Sequence, residues 1–202
     1  MWAKVESGNV TELYNSPKNL TIDGVKHSFR IFETWSSGQL RAINIYEVEH
    51  DDTNFKDPKY YINTSISYNF DGVNNKLISS YGTANARNLD DELYSAQDET
   101  DGLGTEGDVK NRGLKYQFKD SINGEARNRL SETDWMVLRE ADSGTAIPSN
   151  IKTHRAAIRT KANEMCDLID NSPDVEHLAN LYQYVEGSDG KLTRPLGEFP
   201  IL

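Results

Sequence analysis

The spacing of apolar residues changes along this 202-residue chain, from alternation in the first half to a four-residue period in the second. In residues 59–70, KYYINTSISYNF, β-branched and aromatic side chains recur at alternate positions, which predicts a strand with one buried face. That face comprises Tyr60, Ile62, Thr64, Ile66, Tyr68 and Phe70. The later period predicts a helix whose buried side carries Leu114, Phe118, Ile122, Ala126 and Leu130. Together the two periods predict an α+β fold, with an antiparallel β-rich N-terminal module followed by a C-terminal helical hairpin or bundle.

Residues 1–89 form the predicted β-rich module. DGVNN follows the alternating strand and KLISSYG returns from it, so residues 59–82 predict a β-hairpin. Shorter strands are predicted at WAKVE, LTIDGVKHSF and IYEVE. Ser36, with Gln39 three residues later, matches a capping box and predicts a short helix near residues 37–43.

Composition separates this module from the rest of the chain. Residues 90–108, DDELYSAQDETDGLGTEGD, are rich in Asp, Glu and Gly and contain no Lys or Arg, which predicts an acidic linker or exposed loop. Residues 109–186 form the predicted helical module, with Asp108 as the expected N-cap of its first helix. Residues 187–202 contain several Gly and Pro and are expected to form an extended C-terminal tail.

Three further helices are predicted within the helical module. Residues 134–141 form the first, Pro148 sits where a proline opens the second, and Asp174 starts the third. The second helix carries an apolar stripe made of Ile151, Ile158, Ala162, Met165 and Ile169.

The stretch LSETDWMVLREADSGTAIPSNIKTHRAAIR crowds polar and aromatic residues around the first of these three helices. Ser131 and Asp134 fit the S-x-x-D pattern of a helix start. Trp135 and Leu138 share one helical face, which we expect to be buried, and Arg155 is expected to flank the apolar stripe with its aliphatic stem. We therefore interpret these residues as caps and packing for a helical hairpin.

Charge restricts the classes of partner. The chain has 22 Lys and Arg against 32 Asp and Glu, for a net charge of −10. An acidic field repels phosphate backbones and anionic lipid surfaces, so neither nucleic acid nor membrane is an expected partner. No signal peptide is apparent at the start, and no apolar run approaches the roughly 20 residues of a membrane span.

Motifs that bind cofactors or metals are present only as fragments. GLGTEG at residues 102–107 matches G-x-G-x-x-G, but SAQDETD rather than an apolar strand precedes it, so we expect a flexible joint. Aligned as a calcium loop, the same region offers Gln97, Glu99, Asp101 and Asp108, with the wrong first and last ligands.

Nucleophile and metal-ligand patterns are equally incomplete. His27, His50, His154 and His177 do not fall at metal-ligand spacing, and we expect His50-Asp51-Asp52 to be a surface turn. The single cysteine, Cys166, excludes an intrachain disulfide and a multi-cysteine zinc site, and is expected to be a buried inert thiol. We therefore predict no catalytic, cofactor-binding or metal-binding residues and no cofactor.

The stretch from LSETDW to KANEM resembles a module found in tailed-phage tail proteins, especially those of the tail-fibre assembly type. The matching positions are Leu130, Thr133, Asp134, Trp135, Arg139, Glu140, Ile147, Pro148, Arg155 and Arg159. The N-terminal stretch PKNLTIDGVKHSFRIFETWSSGQLRAINIYEV also resembles the leading β module of such proteins, through Trp35, Ser36, Leu40 and Ile43. Asn44 stands where that module usually has glycine.

The resemblance implies a non-enzymatic bacteriophage tail protein that acts by protein–protein contacts with other tail or fibre proteins. Its expected location is the virion tail, after assembly in the host cytoplasm, as a structural component at the tail or fibre attachment site. The first alternative is a tail-fibre assembly chaperone that is absent from the mature virion. Less favoured alternatives are a polysaccharide hydrolase, which needs paired carboxylates, and a calcium-binding module at residues 98–108. A homo-oligomer is compatible with each of these.

Overall fold

A computed structural model describes all residues from Met1 to Leu202, and the chain divides into two compact units, Met1–Asn85 and Ala86–Leu202. Strands dominate the first unit and helices the second, so the predicted α+β fold class is confirmed. The acidic segment 90–108, predicted to be a linker, falls within the second unit. No helix is both long enough and apolar enough to cross a membrane.

The first unit is built on a five-stranded sheet in the order β2-β1-β5-β8-β7. The strands up to residue 86, of which only these five form that sheet, are β1 (Trp2–Glu6), β2 (Asn9–Tyr14), β3 (Leu20–Ile22), β4 (Val25–His27), β5 (Ile45–Asp51), β6 (Tyr61–Ile62), β7 (Ile66–Asp71), β8 (Lys76–Tyr81) and β9 (Asn85–Ala86). Two short helices, α1 (Ile31–Thr34) and α2 (Ser37–Arg41), lie between β4 and β5. β3 and β4 form a separate antiparallel pair that turns at Asp23 and Gly24, both with positive φ.

The sheet is mixed, whereas the sequence predicted an antiparallel one. β5 and β8 run parallel, with Val48 opposite Leu77, and the other three pairings of the sheet are antiparallel. The chain leaves β5, forms β7 at the edge, and returns as β8 between β7 and β5. This return gives β8 the same direction as β5.

The hairpin predicted at residues 59–82 is present but shorter than expected. β7 begins only at Ile66, and Ile62 and Ile66 are exposed at 54% and 39% although both belong to the predicted buried face. Tyr60 from the same face is buried at 6%. The single buried face was wrong because residues 59–70 do not form one strand: β6 and β7 belong to different sheets, and residues 63–65 between them are not in a strand.

Two apolar clusters fill the first unit, and α2 closes one of them. The Ser36 hydroxyl accepts the Gln39 backbone N–H while the Gln39 side chain accepts the Ser36 N–H, so the predicted capping box is confirmed. The helix it starts places Leu40 in the cluster at 4% exposure. Asn44 follows with φ 61°, a left-handed conformation that asparagine tolerates better than most residues.

The second unit contains the long helices. Its elements are β10 (Glu92–Leu93), α3 (Ala96–Thr100), β11 (Val109–Asn111), α4 (Leu114–Ser131), α5 (Asp134–Ser143), α6 (Ser149–Asp170), α7 (Val175–Asn180), β12 (Val185–Glu186) and β13 (Leu192–Thr193). The predicted apolar faces are confirmed in α4, except at half-buried Leu130, and along the whole stripe of α6. Asp174 caps α7 by accepting the His177 N–H, as predicted.

The helix α4 begins later than predicted. Its N-cap is Gly113, not Asp108, which instead precedes β11. The predicted role for Asp108 was wrong because residues 109–111 pair with β10 before the helix starts. A Cβ on Gly113 would lie 2.3 Å from the Asp90 carbonyl carbon, so this position requires glycine for a close backbone approach.

The acidic segment is folded by local hydrogen bonds. Ser95 forms a capping box with Asp98 that starts α3, and Lys110 on β11 donates to Asp98 at 3.0 Å. Hydrogen bonds, first from the Ser95 N–H and then from the Ser95 hydroxyl and Lys110, lower the pKa of Asp98 to about 2. A segment with little apolar surface is thus ordered by capping and ion pairing.

Candidate functional site

The helix α5 buries none of its ten residues. Trp135 is 52% exposed and Leu138 70% exposed, so the prediction that these two side chains pack inward was wrong. They are three residues apart and share a side of the helix with Arg139. We call Trp135, Leu138 and Arg139 the α5 face.

A buried arginine fixes the N-terminal end of α5. Arg155 on α6 is only 6% exposed, and its guanidinium donates to the Leu130 backbone oxygen, to Thr133 Oγ1 and to Asp134 Oδ1, the last at 2.7 Å. Leu130 lies at the end of α4, and Thr133 and Asp134 lie at the start of α5. One side chain therefore holds the junction of three helices, a stronger role than the flanking position that the sequence predicted.

The predicted serine cap of α5 is not formed. Ser131 donates its hydroxyl proton to the Asn128 backbone oxygen and does not cap α5. The N-cap residue is Thr133, whose hydroxyl is bound by Arg155 and makes no capping bond to the helix. The S-x-x-D prediction was wrong because α4 continues through Ser131.

The C-terminal end of α5 is held by Glu140. Its Oε1 accepts from Lys152 Nζ at 2.8 Å and from the Ile147 N–H at 3.4 Å. The Lys152 hydrogen bond is the largest cause and lowers the pKa of Glu140; burial opposes it, and the Ile147 backbone bond and the Lys152 charge lower the pKa by smaller amounts. Gly144 ends the helix with φ 69°, a C-cap conformation that favours glycine. Both ends of α5 are therefore fixed although its outer face is open.

The α5 face carries an arginine with no ion-pair partner. The Arg139 guanidinium lies 4.9 Å from the Trp135 ring centroid, within the range of a cation–π contact. Arg139 forms no ion pair, and its Nε is buried with no hydrogen-bond acceptor. Trp and Arg side chains of this kind dominate the binding energy of protein interfaces.

The glycine motif at 102–107 does not form a nucleotide site. It follows α3 rather than a strand, and α4 begins only at Leu114. Gly102 and Gly107 adopt positive φ in turns, and a Cβ on Gly104 would overlap the Tyr94 ring at about 2.5 Å. These glycines serve local packing of the acidic segment.

Acidic and histidine side chains are not assembled into a metal site. No group of three His, Cys, Asp or Glu side chains is arranged to hold a metal ion. Of the calcium-loop candidates, Glu99 accepts the Glu106 N–H, and Asp101 accepts from the Gln97 side chain. Both carboxylates are engaged in local hydrogen bonds.

A serine–histidine pair, not found by sequence spacing, lies on the sheet. His50 Nδ1 and Ser79 Oγ are 2.6 Å apart because the two residues are direct partners on β5 and β8. Ser79 is 2% exposed, so its hydroxyl is not open to a substrate, and the pair links two strands. His50 and Asp51 belong to β5 and not to the predicted surface turn. Cys166 was predicted to be buried but is only half-buried, because it lies beside the buried stripe of α6 and not on it; this partial burial raises the pKa of its thiol.

The structure thus brings together most positions of the tail-protein resemblance around α5. Arg155, Thr133 and Asp134 meet at one end and Glu140 and Ile147 at the other. Arg159, one turn beyond Arg155, is exposed on α6. Comparison with protein-family models, with curated proteins and with solved structures finds no match to the chain.

Proposed function

We propose that the chain is a non-enzymatic bacteriophage tail protein that works through protein–protein contacts, as a structural component at the tail or fibre attachment site of the virion. The proposal rests on the resemblance of the stretch from Leu130 to Arg159 to a tail-protein module. The observation that carries it is the exposed α5 face within that stretch.

Eight of the ten matching residues divide into two sets with different roles. One set holds α5 in place, and its members are Leu130, Thr133, Asp134, Glu140, Ile147 and Arg155. The other set, Trp135 and Arg139, lies on the α5 face, where Trp135 is 52% exposed and Arg139 forms no ion pair. A rigid frame around an exposed aromatic and an unpaired arginine supports a binding role, since preorganised surfaces lose less entropy on association.

The N-terminal resemblance receives support from the backbone. Asn44 replaces the usual glycine and has φ 61°, a conformation that glycine adopts freely. Its neighbours in the resemblance, Ser36 and Leu40, form the capping box and the buried residue of α2. The departure at Asn44 is therefore compatible with the backbone of that module.

Mass spectrometry of purified particles from cells that produce this chain, compared with the cell lysate, tests the proposal. We expect the chain in particles at a stoichiometry that matches tail or fibre symmetry. Abundance in lysate with absence from particles would favour the assembly chaperone. Absence of the chain from both particles and particle-assembly intermediates would contradict a tail role.

The α5 face is tested by Trp135→Ala in the same preparation. We expect the folded variant to be lost from particles, because the exposed ring supplies apolar contact area to the neighbouring protein. Tyr116→Ala, which removes another aromatic side chain exposed at 43%, is the matched control and should be incorporated normally.

A further inference from the structure

A second surface of the Ala86–Leu202 unit is an open groove of about 950 Å³. One wall is α6, through Ala157, Lys161 and Glu164, and the other is the C-terminal segment, through Arg194, Glu198 and Phe199. We call it the C-terminal groove. None of its lining residues belongs to the α5 face.

The C-terminal segment is fixed against the helices rather than extended into solvent. Leu196 is fully buried and its N–H donates to the Leu181 oxygen at 3.0 Å, while the Gly197 N–H points to Met165 Sδ at 3.3 Å. Phe199 is buried at 8% exposure. The sequence predicted an extended tail here, but these anchors make residues 194–199 a stable wall of the groove.

Arg194 is held in position without an acceptor for its protons. Its guanidinium lies 5.0 Å from the Tyr184 ring centroid, and its Nε is buried with no hydrogen-bond partner. Gly197, with φ 90°, leaves room for this group, since a Cβ there would lie 2.9 Å from the Arg194 guanidinium. The buried Nε cannot reach a ligand, but the guanidinium forms no ion pair and Arg194 lines the groove, so the terminal NH2 groups are the ones that can pair with an incoming anion.

The other charges of the groove leave one acid unpaired. Lys161 Nζ lies 3.8 Å from Glu164 Oε2, so the charges of these two side chains largely offset each other. Glu198 and Arg194 form no ion pair. The C-terminal groove therefore offers one free cation and one free anion beside the apolar surface of Ala157, Pro195 and Phe199.

We propose that the C-terminal groove binds an extended peptide segment of a partner protein that places an acidic side chain on Arg194 and an apolar side chain against Val185, which lines the groove and is 59% exposed. A neighbouring basic side chain of the same segment pairs with Glu198. The groove is open along its length, whereas small-molecule sites enclose about 70–90% of the ligand surface, so a peptide is the better fit. This inference does not rest on the proposed phage function, because it uses only the groove and its charges.

A random heptapeptide library displayed on ribosomes and selected against the immobilised full-length chain tests the inference. We expect enrichment of peptides with Asp or Glu next to an apolar residue, and amide NMR shifts from them at residues 157–164 and 194–200. With Arg194→Glu, these peptides should bind at least ~10-fold more weakly, and a new selection should enrich Lys and Arg.

Two variants keep the outcome interpretable. Arg127→Glu makes the same charge change at a side chain that is 72% exposed and outside the groove, and should leave peptide affinity unchanged. Arg194→Lys keeps the charge and the fold, and should retain part of the affinity. The inference is overturned if no acidic peptides are enriched, if Arg194→Glu binds the selected peptides as tightly as the wild type, or if the NMR shifts lie outside the groove.

Discussion

The Arg155 guanidinium lies 2.7 Å from the Asp134 carboxylate, across 21 residues of chain and between two helices. The same guanidinium binds the Leu130 oxygen at the end of α4. The Arg155 side chain is nearly buried, while the Asp134 side chain is 55% exposed. Water therefore screens the charge of Asp134 much more than the charge of Arg155. The contact therefore acts mainly as a directional clamp that sets the angle at which α5 leaves α4.

Arg155→Ala should destabilise the second unit by about 2–3 kcal/mol, because the Leu130 oxygen and the Thr133 hydroxyl lose a charged donor and a buried space opens. Urea denaturation measures this change. Arg159→Ala, one turn further along α6 and exposed, is the control and should stay within about 0.5 kcal/mol of the wild type. Equal losses for the two variants would show that Arg155 is not a clamp.

Trp135→Ala should change the free energy of unfolding by less than about 1 kcal/mol, since the side chain is 52% exposed and lies on a helix that buries none of its residues. Ile158→Ala removes a side chain that is 1% exposed and should cost about 2–5 kcal/mol in the same urea titration. A loss above 2 kcal/mol for Trp135→Ala would make this residue part of the core and remove the physical basis of the α5 face.

Two glycines at the start and middle of α4 should respond in opposite directions to alanine. Gly113→Ala should destabilise the fold by more than about 1 kcal/mol, because its Cβ would meet the Asp90 backbone at 2.3 Å. Gly124→Ala should stabilise the fold by up to about 1 kcal/mol, because the nearest atom to its Cβ would be the tip of Arg127 at 3.8 Å. Thermal unfolding of both variants decides this, and stabilisation by Gly113→Ala would contradict the close approach.

The acidic segment should loosen at low pH. Because hydrogen bonds lower the pKa of Asp98 from its usual 3.8 to about 2, its stabilising contribution is fully present above pH 4 and is lost as the pH falls through 2. When the pH is lowered in a carboxyl NMR titration, Asp98 should be protonated after the other Asp side chains. Lys110→Met should raise this pKa only in part, because the Ser95 N–H is the larger cause. Titration of Asp98 near 3.8 in the wild type would contradict the capping geometry.

Several short-range patterns predicted the local structure, although the predicted caps at Asp108 and Ser131 were wrong. The Ser36 capping box, the Asp174 cap and the apolar stripe of α6 all follow from residues within a few turns of one another. Such signals are readable in a sequence because the backbone group and its partner are close along the chain. The change of period likewise predicted the α+β class.

Longer-range relations were not readable in the same way. The parallel pairing of β5 and β8 depends on where β7 is placed in the sheet. The order of the acidic segment depends on the hydrogen bond that Lys110 donates to Asp98. His50 and Ser79 meet only because their strands are neighbours. Each case joins residues whose separation in the sequence carries no fixed period.

The sequence by itself determined that this chain has a strand-rich part and a helical part, and it supplied the residues of the α5 stretch. Only the tertiary structure decided that Trp135 faces solvent, because a helical pattern shows which residues share a side and not whether another element covers it. The same holds for Arg155. Its place on α6 was readable, but its burial arises because the end of α4 and the start of α5 pack around its guanidinium.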